Sequence, residues 1–419
     1  MTTNEKEING NHFRVLNFNS IGADLPLYTE TISPNGWIDY GDDNLLPNYY
    51  IGLMARSPLH NAILKGKAQM IAGNGIDKNG LSNEAINFIK NPYGEFDLEE
   101  LCARSAYDLE VYGAFAWNIV WSKDRTRIAT INYVSPQQLR IAAPDKDEKK
   151  EAYFISKDWE NTRLFQPIKY PGYSIVDRSG ASQILYVKDY RPGRYFYGEP
   201  EYMSAVRWIE MQYEISNFHL QNLKNGFAPS MLINFVNEVP SDDEMDFLMK
   251  RTEAQYKGAQ GAGKVIFTFS KDKDSAPVIT PIQLNNSDDR FVALNKEIEQ
   301  GIFSGHRVVN PEIFGAAKDG QVNFGQTDLL NSLEMFNSLY IRPKQLIIER
   351  ELKNLAKVNG ITDDFKLTEY RIEFSKMDIS IADILSVLQA QITPEQKFEI
   401  LTSSGYDEDS AKKLCGIQN

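Results

Sequence analysis

A stretch of helical periodicity begins at Glu201. From there to Asn225 no glycine or proline occurs, and Tyr202, Val206, Ile209, Tyr213, Leu220 and Leu223 return at the spacing of one helix face. With Gly226 as its cap, the pattern predicts a helix of about 25 residues, roughly 37 Å long. A second stripe, Phe291, Leu294, Ile298 and Ile302, predicts a helix over 288–304. A third helix is predicted from Thr327 to about Val358, roughly 48 Å, with Pro343 removing a backbone donor in its interior and kinking it. Between the second and third lies VVNPEIFGAAKDGQVNFGQ, residues 308–326, whose three glycines and one proline read as a long loop; loops of this length in compact proteins are functional or disordered.

Upstream, Ser57 followed by Pro58 is an N-cap with proline at the first helical position, opening a helix that the glycines at 73 and 75 end. Another helix is expected from Asp97 to about Tyr112, with Leu98, Leu101, Cys102, Leu109 and Tyr112 on one face around the small Ser105, and Gly113 as its stop. The first 56 residues, with SPNG at 33–36 and GDDN at 41–44, are rich in turn formers and show no helical period. AFAWNIVW, RIATINYV, QLRIAA, EAYFIS and QILYVKDY are β-branched and aromatic segments separated by charged or Gly/Pro turns, and predict an antiparallel sheet. Residues 1–197 therefore read as an α+β domain. After the first long helix comes the strand SMLINFV, then VPSDDEM, a capping box with Ser241 as N-cap, Glu244 at the third position, and Asp242 and Asp243 near the positive dipole end. Met245, Leu248, Met249 and Tyr256 give that helix its buried stripe, and the strand KVIFTFS follows. Past the strand-like KLTEYRIEF, the tail from Asp378 is helical, with a further capping box at Thr393-Pro394-Glu395-Gln396.

Composition narrows the function classes. The 419 residues suggest two to four folding units, and 42% apolar against 24% charged residues is ordinary for a soluble globular protein. No window approaches the apolar length of a membrane span, and MTTNEKEING lacks the basic and apolar regions of a signal peptide, so the chain is expected to be made and folded in a cytoplasm. The two cysteines, Cys102 and Cys415, lie too far apart in sequence to suggest a disulfide framework or a Cys-x-x-Cys metal site, and each reads as a small buried apolar side chain. The formal net charge is −12. A protein that grips nucleic acid shows a basic stripe, and none is found here, because Lys149 and Lys150 sit within the mixed-charge run DKDEKKE.

One motif raises the question of catalysis. GAQGAGKV, Gly258 to Val265, follows the phosphate-loop pattern G-x-x-x-x-G-K and then breaks off, with Val265 where Ser or Thr would hold magnesium. A phosphate loop needs the order strand, loop, helix, since the phosphates rest on the free N–H groups at the start of a helix. The predicted order here is helix, loop, strand, which makes the motif a glycine-rich turn. No other catalytic motif occurs, and the four histidines, His12, His60, His219 and His306, show no metal-ligand spacing. No catalytic residue, metal or cofactor is expected. His219 reads as a packing or interface residue.

The order of these elements and several local patterns resemble the portal proteins of tailed bacteriophages and related prophages. RPGRYFYGEPEYMSAVRWIEMQ opens the first long helix and LKNGFAPSMLINF leaves it; YKGAQGAGKVIF, FSGHRVVNPEIFGAAKDG and EMFNSLYIRPKQLIIERELKNLA follow in order. With WIDYGDDNLLPNYY and SPLHNAILKGKAQMIAGNG, the likeness covers most of residues 37–375. It implies an α+β portal fold: a wing over 1–197, a first stem helix over 198–227, a clip over 228–287 and a second stem helix over 288–307. A tunnel loop over 308–326, a return to the wing with the kinked helix over 327–377, and a short crown over 378–419 complete it.

By the same resemblance the protein is a structural component of the virion, assembled in the host cytoplasm: a twelve-subunit ring at one capsid vertex through which double-stranded DNA is packaged and ejected. Asn310, Phe314, Lys318, Asp319, Asn323 and Phe324 would face the DNA channel without sequence preference. Ser241, Asp242, Asp243 and Lys264 in the clip would meet the terminase or a head-completion adaptor, and the wing would contact the major capsid or scaffold protein. The acidic composition agrees, because a basic lining repeated around a ring would trap the duplex by counterion release. Two other readings are a different ring-forming component of a virion or secretion machine, and an enzyme acting on a phosphorylated substrate, for which the only candidate cradle is GAQGAG.

Overall fold

The computed structural model describes residues 3–8, 11–16, 29–144, 151–225, 229–236, 264–270, 287–314, 326–370, 388–389, 392–403 and 408–417. The chain divides into a large unit, Met1–Glu369, and a small C-terminal unit, Tyr370–Asn419. The large unit opens with a hairpin of β1 (Thr3–Ile8) and β2 (Asn11–Leu16). Helix α1 (Leu46–Arg56) follows, in a region where turn formers mask the period: Leu46, Pro47, Tyr50 and Leu53 are buried along one face, but Pro47 and Gly52 punctuate it. Proline is tolerated here because it sits in the first turn, where its missing N–H would have no partner.

Helix α2 (Pro58–Ala72) begins as expected, with the Ser57 hydroxyl accepting from the His60 N–H and Gly73 at positive φ closing it. A short helix α3 (Asn83–Lys90), capped by Ser82, was not visible as a periodic stretch. Helix α4 (Leu98–Tyr112) has Asp97 as N-cap and Gly113 in the left-handed region as C-cap, and buries Cys102.

The five expected strand segments, joined by a sixth strand at Ile168–Pro171 that was not expected, form two sheets of three strands rather than one. Strands β3 (Ala114–Trp121), β4 (Ile128–Val134) and β8 (Ser182–Lys188) pair antiparallel in the order β4-β3-β8. Strands β5 (Leu139–Ile141), β6 (Ala152–Ile155) and β7 (Ile168–Pro171) make the second sheet, also antiparallel. The sheets meet through Ala116, Val134 and Ile184 on one side and Leu139 and Tyr153 on the other. Hydrophobic alternation picks out five of these six strands but not their neighbours, so the partition depended on tertiary contacts.

A single turn of tight helix, Glu201–Ala205, leads into α5 (Val206–Asn225), and α6 spans Ser287–Gly305. The two run antiparallel, with Gly301 beneath the Trp208 ring and Gly305 against Ala205. Beyond α5, β9 (Pro229–Val236) and β10 (Lys264–Ser270) pair parallel with each other. The long third helix comprises α7 (Gln326–Phe336), a π-helical turn at Asn337–Ile341 and α8 (Arg342–Val358). Pro343 lies at the start of α8, and the Arg342 N–H reaches back five residues to the Asn337 carbonyl. The wider π turn is how the helix takes up the missing donor and the ring that would otherwise press on the preceding turn.

KLTEYRIEF forms no strand over its described part: Leu367 makes one bridge, to Ile76. In the small unit, α9 (Pro394–Ser403) and α10 (Glu408–Cys415) pack through Leu401 and Ala411, while Cys415, expected to be buried, ends α10 only partly covered. The box at Thr393 is reciprocal, its N–H donating to Gln396 Oε1 at 3.1 Å and its hydroxyl accepting from the Gln396 N–H at 3.3 Å. Among the described residues no helix is long and apolar enough to cross a membrane.

Candidate functional site

The start of α5, the end of α6 and the π turn converge on α2 and α4 in a polar junction whose centre is buried. Lys67 on α2 has no exposed surface; its ammonium lies 2.9 Å from Glu110 Oε2 on α4 and 3.8 Å from the centre of the Tyr340 ring. Tyr340, carried by the π turn, donates its hydroxyl to the Glu110 carboxylate at 2.8 Å. One turn further, Lys344 bonds Asp189 at 2.7 Å and lies 3.4 Å from Glu201. Glu201, just before α5, also faces Arg307 at 3.4 Å and Arg191 at 4.0 Å. Three cations (Lys67, Lys344, Arg307) thus interleave with three carboxylates (Glu110, Glu201, Asp189) across six segments of the chain, with Arg191 at the margin.

The electrostatics follow from burial. Desolvation pushes the Lys67 ammonium below the ordinary lysine range, opposed by Glu110. Burial acts on Lys344 the same way, but Glu110, Glu201 and Asp189 outweigh it and hold Lys344 above its usual value. Burial would raise Glu201, yet Lys344, Lys67, Arg307 and Arg191 together hold its carboxyl below the usual range. The Tyr340 phenol is pushed up by burial and by Glu110. Such an arrangement fixes geometry more than it adds stability, because each charge leaves water to enter it.

Beside this junction, His60 Nδ1 and His306 Nε2 are 2.8 Å apart, with the Tyr202 ring packed on both imidazoles. The two histidines are 246 positions apart in sequence, so spacing could not relate them. Among the described residues no group of three or more metal-ligating side chains forms, here or elsewhere. The junction residues carry no motif either; the one signal in the sequence was charge at helix positions that otherwise face the core, such as Lys67 between Leu64 and Ala68 and Lys344 after Ile341.

The expected channel segment starts from this junction. Asn310 accepts from the Glu312 N–H at 3.1 Å and donates to the Ser332 hydroxyl at 3.2 Å, tying the segment to α7. Phe314 is half-buried, its ring against Gly66 of α2 and edge-on to Phe336 at 5.9 Å, so it anchors the segment. Lys318, Asp319, Asn323 and Phe324 lie outside the described residues, as do Ser241, Asp242 and Asp243. Lys264 is the first residue of β10, where it pairs with Pro229. A strand, not a helix, therefore follows GAQGAG, and no helix N-terminus is available to hold a phosphate on it.

Two antiparallel helices, α5 and α6, leave and re-enter an α+β unit beside a long helix broken at a π turn. The chain belongs to the phage portal protein family, which it matches over residues 65–391. It is 22% identical over 220 residues to the probable portal protein of Haemophilus phage HP1 (strain HP1c1), an alignment covering 50% of this chain and 62% of that relative. It is similar in fold, at TM-score 0.51 and 14% identity, to a chain in the neck of an empty gene transfer agent particle computed with C6 symmetry, covering 95% of this chain and 96% of that one. A portal protein of the HK97 family from Corynebacterium diphtheriae aligns at TM-score 0.45 and 10% identity, over 72% of this chain and 89% of that chain.

Proposed function

We propose that this portal protein assembles into a closed ring of twelve subunits at one capsid vertex and conducts double-stranded DNA during packaging and ejection. The observation that carries the reading is the stem: α5 and α6 leave and re-enter the α+β unit side by side at Ala205 and Gly305, and the segment after α6 runs to α7. In a ring of this kind each subunit presents two different faces to its neighbours, and only the rotation between them closes the circle. Purified protein should appear in electron micrographs, and weigh in native mass measurement, as rings of about twelve copies; a stable monomer or dimer at micromolar concentration would remove the basis of the proposal.

Within the ring, residues 308–326 form the narrowest part of the channel, anchored by Asn310 and Phe314 and presenting Lys318, Asp319, Asn323 and Phe324. Deleting Ala316 to Val322 should leave rings intact and impair DNA packaging or retention; normal genome-filled particles from the deletion would take the segment away from DNA. The clip, with Ser241, Asp242, Asp243 and Lys264, is the docking face for the terminase and for a head-completion adaptor, and the wing meets the capsid or scaffold protein. Strands β9 and β10 make a two-stranded parallel pair, an arrangement marginal by itself, so an outer edge pairs with a neighbouring chain. The chain itself is no enzyme: titration with magnesium and ATP should show no heat, and saturable binding abolished by Lys264→Ala would contradict the turn reading of GAQGAG.

A further inference from the structure

We propose that the His60–His306 contact is an acid-labile latch that holds the C-terminal end of stem helix α6 against helix α2 of the large unit. The geometry sets the chemistry. A separation of 2.8 Å between His60 Nδ1 and His306 Nε2 is a hydrogen bond in which one nitrogen donates N–H and the other must accept, so the closed contact holds one hydrogen between the two facing nitrogens. Neither outward nitrogen, His60 Nε2 or His306 Nδ1, bonds a described protein group. A second proton on the pair puts N–H groups on both facing nitrogens and turns the bond into a repulsion. The first already places a positive charge in a site where both histidines are fully buried.

Among the described residues nothing facing the pair is free to compensate. Lys67, one helical face along α2 from His60, is itself cationic and disfavours the added charge. The carboxylates from neighbouring elements, Glu110 on α4 and Glu201 before α5, are committed to Lys67, Lys344 and Arg307. Tyr202 and Tyr340 offer phenols that donate to the Val111 carbonyl and to Glu110, and Tyr50 of α1 packs on Tyr202. Burial first and Lys67 second hold His60 down to about 3, and the same causes, with His60 added, hold His306 well below the ordinary value. The sign follows: the opened state binds more protons than the closed one between about pH 3 and 6.5. The latch is therefore fully formed above about pH 6.5 and weakens as pH falls. From pH 7 to 5, each histidine released to an ordinary value of about 6.5 favours the opened state about 25-fold.

The test is hydrogen exchange on the intact protein at pH 7.0 and 5.0, corrected for intrinsic rates, comparing the peptides over 58–66 and 298–308 with β3 as an internal reference. The expected result is at least a tenfold loss of protection in the two latch segments at pH 5.0 while β3 is unchanged. A loss below about threefold, or an equal loss in β3, overturns the latch. His306→Gln and His60→Gln, whose amides bond without titrating, should abolish the selective pH response; a response that persists undiminished in both also overturns it. Should neither variant fold, the wild-type histidine ring signals decide: His60 and His306 must stay neutral down to pH 5, and either one titrating near 6.5 in the folded protein refutes the latch.

Discussion

Lys67→Met is the sharpest test of the buried junction. The substitution keeps the length of the side chain and its packing but deletes the ammonium that lies 2.9 Å from Glu110 and over the Tyr340 ring. Glu110 is 3% exposed, so its carboxylate would keep only the Tyr340 hydroxyl and the more distant field of Lys344. Removing one partner of a buried pair costs about 3–5 kcal/mol, most of it the desolvation of the charge left behind. The remaining charged hydrogen bond from Tyr340 places the expectation near the lower end, at about 3 kcal/mol. Adding Glu110→Gln removes the stranded charge, and the double variant should recover about 2 kcal/mol of that loss. Urea unfolding followed by tryptophan fluorescence, to which the fully buried Trp117 contributes, reads both quantities. If Lys67→Met alone costs less than about 1 kcal/mol, or the double variant is no more stable than the single, then Glu110 is not held as a charge by Lys67 and the account of the junction fails.

Three further outcomes are expected. Gly305→Ala would gain up to about 1 kcal/mol of helix propensity, but its Cβ would lie 2.3 Å from Ala205 Cβ, so a net loss of about 1–3 kcal/mol in thermal or urea unfolding should result; a stabilised variant would show that α6 and the start of α5 can separate there. Asn91 holds the free edge of β4, its amide donating to the Ile131 carbonyl at 2.7 Å and accepting from the Ile131 N–H at 3.1 Å. Asn91→Gly, which tolerates the local positive φ, should cost about 1–3 kcal/mol and raise aggregation measured by light scattering, since the edge is uncovered. Thr393→Ala should weaken α9 by about 1 kcal/mol, seen as faster hydrogen exchange over 394–397 with the large unit unaffected; unchanged exchange there would mean the capping box is not formed.

The helices and strands of this protein were legible as local patterns because their signals are local. Ser57 before Pro58, Gly113 and the Thr393 box each act within one turn, and the structure has each in its expected capping role; Asp97, expected only as the start of its helix, is the N-cap. The apolar stripes of α5 and α6 and the alternation of β3 depend only on which face must leave water. The order of elements sufficed to identify the portal family and to argue against a phosphate loop, since a strand follows GAQGAG.

What the tertiary structure decided was every relation between distant positions. Five strands with the same alternation are compatible with one sheet or two, and only packing through Ala116, Ile184 and Leu139 chose. Pro343 announced a disturbance, but its form, a π turn that aims Tyr340 at Glu110, required α4 to be in place. Helix α1 was hidden because Pro47 and Gly52 interrupt a face that becomes apolar only when Tyr50 and Leu53 find their neighbours. The junction lay furthest from view. Lys67, Glu110, Glu201, His306 and Tyr340 are ordinary residues with no motif around them, and a charge or an imidazole becomes buried and paired only when the fold brings its counterpart from tens to hundreds of positions away, a contact that no local period encodes.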